Sequence, residues 1–253
     1  MKKKTIALAV LSALCFGCSA SFALTVGTFD IENFHIAGTG GKSKTAAYEQ
    51  RDMLSLARSV KKSRAAALAL QEVEGDATMR YFTVTALRGW KYAGNDTAGA
   101  NDLYFLWDPA LVELKSRVTV LQTQALTRWP IAARFKDLET GHEYTLVNAH
   151  LENKAASEQM RELHRIAKGL PMPVILLGNF GDPKVGHPDV DFRRLENGFS
   201  CDNLDSSPDF VGVLGLAPEK IGEVKETETR IPSRSNRRRE HPSHDIITVD
   251  IFD

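Results

Sequence analysis

The sequence predicts one mixed-sheet α/β domain. Two observations carry that expectation. β-Branched and aromatic runs bounded by turn signals recur along the whole chain, and amphipathic segments with helical spacing lie between them without segregating to one end. A hydrophobic content of 43% over 253 residues is enough for a sizeable core.

The first element is not part of the domain. Met1-Lys2-Lys3-Lys4, the apolar run from Ile6 to Gly17 and Ser21-Phe22-Ala23 have the three parts of an export signal, with cleavage after Ala23. The apolar run is too short to span a bilayer. The expected organisation is therefore a signal peptide over 1–23 and a single domain over 24–253, periplasmic or extracellular. The alternative is a lipoprotein acylated at Cys18, but Cys15 stands where that motif wants a branched aliphatic residue.

Strand-like segments follow at 24–31, 64–70, 103–107, 131–135, 144–149, 174–177, 210–214 and 246–251. Between them, 47–61 places Met53, Leu54, Ala57 and Val60 near helical spacing, and 155–170 does the same with Met160, Leu163, Ile166 and Ala167. A shorter helix is expected over 76–87. The stretch 226–243, with Pro232, Pro242 and Arg237-Arg238-Arg239, reads as an irregular, solvated loop, or as one facing phosphate at a site mouth. Gly38-Thr39-Gly40-Gly41-Lys42-Ser43 is a decoy: a phosphate-binding loop needs glycine where Ile36 stands.

Lys plus Arg and Asp plus Glu both total 32, and loss of Lys2, Lys3 and Lys4 with the signal leaves 29 basic against 32 acidic residues. That balance excludes a generic nucleic-acid coat, and any polyanion contact must be local, at Arg193-Arg194 or Arg237–Arg239. Cleavage also removes Cys15 and Cys18. Cys201 is then the lone cysteine, so no intramolecular disulfide is expected.

Chemistry-bearing residues gather at the predicted strand ends: Asp30-Ile31-Glu32-Asn33, Gln71-Glu72, Thr127-Arg128-Trp129-Pro130, Asn148-Ala149-His150-Leu151, Gly178-Asn179-Phe180-Gly181-Asp182, Pro208-Asp209 and Ser243-His244-Asp245. Carboxylates, amides, imidazoles and one arginine suit oxygen ligation of a hard cation with a phosphoryl group held against it.

In this order the segments resemble the endonuclease/exonuclease/phosphatase superfamily, the DNase I-like proteins, over nearly all of the chain from Thr25 on. The resemblance implies a four-layer α/β sandwich of two packed mixed β-sheets flanked by helices. It implies hydrolysis of phosphodiesters or phosphomonoesters with Mg²⁺ (or Mn²⁺), on substrates from DNA and RNA to inositol phosphates and sphingomyelin. Glu72 matches the metal-binding glutamate, His150 the histidine on the scissile phosphate, Arg128 a phosphate-contacting arginine and Asp209 the aspartate that orients a last histidine. Asn148 is expected beside the substrate.

Three departures bear on catalysis. Asp30 stands where the first strand normally ends in asparagine. Gly178-Asn179-Phe180-Gly181 replaces Gly-Asp-Phe-Asn, so the water-activating carboxylate is an amide, which is not a usable base at neutral pH. Ser243-His244-Asp245 exchanges the acid and imidazole of Ser-Asp-His. Two readings stay open. In one the site is rewired, with Asp30 supplying the lost carboxylate, His244 the imidazole, Asp245 or Asp209 orienting it, and Asp182 joining Glu72 and Asp30 at the metal. In the other, catalysis has decayed and the fold serves binding.

Overall fold

The computed structural model describes residues 23–38, 47–97, 101–152, 155–180, 209–229 and 245–252. Cys18, Asp182, Cys201, Arg193-Arg194, Arg237–Arg239 and His244 lie outside the described residues, as does the rest of the signal segment before Ala23.

Two sheets form the centre. The first contains β1 (Ala23–Phe34), β2 (Ala67–Val73), β3 (Lys91–Asn95), β4 (Asp102–Trp107), β11 (Ile221–Thr227) and β12 (Ile246–Phe252), in the order β11-β12-β1-β2-β4-β3. The second contains β5 (Val112–Leu114), β7 (Ile131–Asp137), β8 (Glu143–His150), β9 (Val174–Asn179) and β10 (Asp209–Leu214), in the order β10-β9-β8-β7-β5, with β6 (Thr119–Val120) on β7. Parallel pairing of β1 with β2 and of β8 with β9, among antiparallel neighbours, makes both sheets mixed.

Period-2 alternation decides what each face meets. Val26, Ala67, Ala69 and Phe105 point into the gap between the sheets, against Ile131, Ala133, Phe135, Leu146, Ile175 and Leu177. Phe29, Leu68, Leu70 and Leu106 point the other way, under α1 (Gln50–Ser63) and α2 (Gly75–Thr85). Val147, Ala149, Val174 and Leu176 cover the outer face of the second sheet beneath α3 (Ala156–Ala167). The result is the expected four-layer sandwich.

Differences from the sequence reading lie at edges and ends. The second strand begins at Ala67 rather than Arg64, because α1 runs to Ser63 and Arg64 ends it in the left-handed conformation, φ +58°. Strands β3, β5, β6 and β11 were not anticipated; they are short or half-exposed and carry little apolar alternation. The stretch expected to be irregular from Glu226 begins inside β11, which pairs Glu226 with Ile247 and Thr227 with Ile246.

A polar bridge at Asn148 crosses the apolar gap. Asn148 on β8 has no exposed surface. Its Nδ2 donates to Leu70 O at 2.9 Å and Tyr104 O at 3.0 Å, and its Oδ1 accepts from Gln71 Nε2 at 2.7 Å. Its groups are thus spent on the opposite sheet, so Asn148 lies beneath the site instead of beside a substrate. Replacing Asn148 with Ala strands several buried partners, each worth about 1–3 kcal/mol when unsatisfied. Asn148→Ala is expected to lower stability by about 3 kcal/mol in denaturant unfolding; a change under about 0.5 kcal/mol would contradict the bridge.

Candidate active site

The inward rows of the sandwich are apolar along most of their length and turn polar at one end. Val26-Thr28-Asp30, Ala69-Gln71, Leu146-Asn148-His150, Ile175-Leu177-Asn179 and Val213-Val211-Asp209 follow this pattern, each read at every second residue. Since β1, β2, β8 and β9 pair in parallel within their sheets while β10 runs against β9, these polar ends meet at one end of the sandwich. Register places Asn179 between His150 on β8 and Asp209 on β10. Gly178 makes the approach of β9 to β8 feasible: its φ is +147°, and a Cβ there would lie 1.8 Å from Ala149 O.

Asp30 is at the centre, only 2% exposed. Its Oδ2 accepts from Asn179 Nδ2 at 2.9 Å, and its Oδ1 from the Glu32 N–H at 3.1 Å. His150 Nε2 lies 3.9 Å from Asp30 Oδ2. On the other side of the ring, Arg128 Nη1 is 2.6 Å from His150 Nδ1. A guanidinium can only donate, so Nδ1 is the acceptor and the imidazole proton sits on Nε2, facing Asp30.

Glu72 completes the cluster from a distorted backbone. The register between β1 and β2 shifts after Asp30, that between β2 and β4 shifts after Leu70, and Glu32, Asn33 and Glu72 have φ values of +54°, +56° and +56°. Left-handed non-glycine residues are uncommon, and such bulges re-aim side chains beside functional sites. Here the bulge lets Glu72 Oε2 accept the Asn33 N–H at 3.0 Å. Among the described residues, ligand atoms of Asp30, Glu72 and His150 all lie within 4.8 Å of one another.

Such a group fits a hard cation. Partial burial, and after it the neighbouring Asp30 carboxylate, hold the Glu72 carboxyl above its ordinary value, while Arg128 and the Asn33 N–H pull it down. A divalent ion would relieve both opposing causes. The two carboxylates are the natural ligands, because His150 Nδ1 already accepts from Arg128 and its Nε2 carries the proton.

The remaining expected residues are placed less centrally. Asp209 is buried at the start of β10, opposite Asn179, and is not in the three-residue group. Asp245 is tied locally: its Oδ1 accepts from Thr229 N at 2.6 Å and Thr229 Oγ1 at 3.2 Å. Sequence reasoning passed over a cleft beside Arg128, lined by Asn95, Thr97, Asn101 and Trp129. The Asn-Asp-Thr-Ala-Gly run before the strand at 103–107 was a hairpin-loop signal that could have located it.

The Glu72 shift sets a direction. The folded state retains a proton that the unfolded chain gives up, so Glu72 lowers metal-free stability as pH rises above the ordinary carboxylate range through the raised folded value. Glu72→Gln is therefore expected to be more stable than the wild type without metal at neutral pH, and the difference should shrink on acidification. Saturating Mn²⁺ at a hundredfold excess over Kd should stabilise the wild type by about 2.7 kcal/mol and the variant by far less. Calorimetry at several pH values checks both; an equal Mn²⁺ shift in the two proteins would contradict the ligand assignment.

No family model matches the sequence, and no curated protein matches it. Solved structures do match in fold. Humanized TDP2 of D. rerio, carrying 14 mutations, superposes with a TM-score of 0.68 at 13% identity, covering 91% of this chain and 99% of that one. An endonuclease/exonuclease/phosphatase family protein from Bacteroides thetaiotaomicron gives 0.61 at 16% identity, covering 92% and 98%. The mannosyl-6-phosphatase Bt3783 of the same organism gives 0.60 at 15% identity, covering 90% and 100%. The architecture of this chain is that of the DNase I-like endonuclease/exonuclease/phosphatase superfamily.

Proposed function

We propose that the chain is an exported, metal-dependent phosphoesterase acting on a phosphodiester or related phosphate ester, with the carboxylate and amide of its site exchanged between the two sheets. The observation that carries this reading is the 2.9 Å hydrogen bond from Asn179 Nδ2 to Asp30 Oδ2. The superfamily pattern has asparagine on the first strand and aspartate in the Gly-Asp-Phe-Asn segment. This chain has the same two side-chain types in contact, in inverted positions. Random decay has no reason to keep the pair complementary.

In this reading Asp30 and Glu72 hold Mg²⁺ or Mn²⁺, with Asp182 a further ligand proposed from the sequence. The cation supplies charge neutralisation at the phosphoryl oxygens. Asn179 orients Asp30 through its amide, and Asp30 Oδ2 accepts the proton of the attacking water. His150 Nε2–H and the Arg128 guanidinium face the phosphoryl group as donors. His244 supplies a second imidazole, with Asp209 and Asp245 supporting that side. Ala23 marks the end of the cleaved signal.

The neighbours' names leave the substrate class open. A D. rerio TDP2 structure holds a single-strand DNA product, and Bt3783 is a mannosyl-6-phosphatase. No helix among the described residues is long and apolar enough to cross a membrane.

A second reading, a binding module without turnover, is favoured by one observation: Asp245 is engaged with Thr229 instead of with the Asp30 cluster. Reciprocal exchange separates the two. Mn²⁺-dependent hydrolysis of bis(p-nitrophenyl) phosphate and p-nitrophenyl phosphate should fall about 10²–10⁴-fold in Asp30→Asn, as loss of a general base does. The double variant Asp30→Asn with Asn179→Asp should recover most of that loss. Turnover in the wild type no faster than in Glu72→Ala would favour the binding module, and an Asp30→Asn rate equal to wild type would remove Asp30 from the chemistry.

A further inference from the structure

Beside the phosphate-facing residues lies a cleft of about 320 Å³ that the chemistry above does not use. It sits between the β3–β4 hairpin end and the segment leading into β7, and Arg128 belongs both to it and to the cluster around His150. A group esterified to a phosphate at Arg128 and His150 therefore has this cleft as its neighbour. This inference rests on reading Asp30, Glu72 and His150 as a phosphate-ester site.

The lining has two kinds of surface. One is the indole of Trp129, 45% exposed although it is a large aromatic residue. That indole is held in place: its Nε1–H donates to Thr123 O at 2.9 Å, and Thr123 Oγ1 donates to Glu162 on α3 at 2.7 Å. Pro130, buried next to it, limits the backbone further. With its only polar atom already engaged, what Trp129 offers outward is an apolar ring face in a fixed orientation. The other surface is uncharged and polar, from Asn95, Asn101 and Thr97. Thr97 donates both its N–H and its hydroxyl to Asp102 Oδ1, leaving its hydroxyl oxygen as an acceptor.

Charge argues against a polyanion here. Among the described residues of the lining Arg128 is the lone basic one, and the lining also includes the acidic Asp102. A single-strand groove needs a run of basic residues along the backbone. The volume lies at the small end of ligand pockets, suited to one ring with its substituents.

We propose that this cleft is a subsite for one hydroxylated ring carried on the phosphate, stacked by its C–H face on Trp129 and hydrogen-bonded through its hydroxyls to Asn95, Thr97 and Asn101. The shared chemistry is that of a pentose or hexose ring, from a free sugar phosphate or from the ribose of a nucleotide.

Binding to the catalytically silenced Asp30→Asn protein without added metal, in which Arg128 and His150 remain as the phosphate donors, tests this by calorimetric titration with inorganic phosphate, phenyl phosphate, ribose 5-phosphate, glucose 6-phosphate and adenosine 5′-monophosphate. At least one of the two sugar phosphates should bind about tenfold or more tightly than inorganic phosphate and more tightly than phenyl phosphate. That preference should collapse toward one in Trp129→Ala and return in part in Trp129→Phe. A tighter complex with the monophosphate nucleoside than with ribose 5-phosphate assigns the ring to a nucleotide; equal affinity assigns it to a free sugar phosphate. Sugar phosphates that bind no better than phosphate, or whose advantage survives Trp129→Ala, overturn the subsite. Saturation-transfer NMR with methyl β-ribofuranoside and methyl β-glucoside, which carry no phosphate, keeps the two claims apart. Trp129-dependent transfer to either glycoside supports the ring subsite even where the phosphate-ester reading fails, and absence of such transfer from both counts against the ring subsite alone.

Discussion

Apolar contact holds two β-sheets together but does not fix how far one slides along the other. The Asn148 bridge does. Its amide donates to two carbonyls of the opposite sheet, Leu70 on β2 and Tyr104 on β4, and accepts a hydrogen bond from Gln71 Nε2. Gln71 is in turn held by Thr28 and by Ala69 O, at 3.1 Å each. Buried polar groups tolerate little displacement, because an unmade bond in a dry interior is expensive. Once Asn148 is satisfied the offset of the sheets is set. Asp30 of the first sheet and Asn179 of the second, 149 residues apart in sequence, are then within hydrogen-bond distance.

From that offset the rest of the site follows. Each inward row changes from apolar to polar at the same end of the sandwich, so the core seals one side and the other opens on a small set of acids, amides and an imidazole. The bulge at Glu72 turns a side chain back into this set at the expense of a left-handed backbone. Two carboxylates beside each other in a half-buried place are a poor arrangement for stability and a good one for a divalent cation. In the proposed reading, exchange of carboxylate and amide between Asp30 and Asn179 moves the negative charge from one sheet to the other and keeps the donor–acceptor pair intact. A local sequence departure at either position looks like loss of function; under the same proposed reading, the contact between them is its compensation.

Much of the fold was legible because period-2 alternation and β-branched composition mark interior strands directly. All eight anticipated strands and three helices have counterparts among the described residues. Strands β3, β5, β6 and β11 were missed for a physical reason: each carries few apolar residues, too few to show an alternation, and pairing with a neighbour decides their conformation more than propensity does. Site residues were legible as types at strand ends, but their contacts were not. Asn148 in Leu146-Val147-Asn148-Ala149-His150 reads equally as a substrate contact or as a buried bridge, and only the opposing sheet decides. Trp129 gave no signal because an aromatic residue before proline is as common in a packed turn as on an exposed platform; the hydrogen bond that fixes its ring comes from Thr123, within an irregular segment.

The central claim is that Asp30 and Glu72 together hold a divalent cation at the end of the inter-sheet gap. Crystals soaked in Mn²⁺ and phosphate, measured at the manganese edge, test it without relying on turnover. The expected result is an anomalous peak between the carboxylates of Asp30 and Glu72, with phosphate density on the side of His150 and Arg128. A map with no peak there, or with manganese held by other carboxylates, would contradict it.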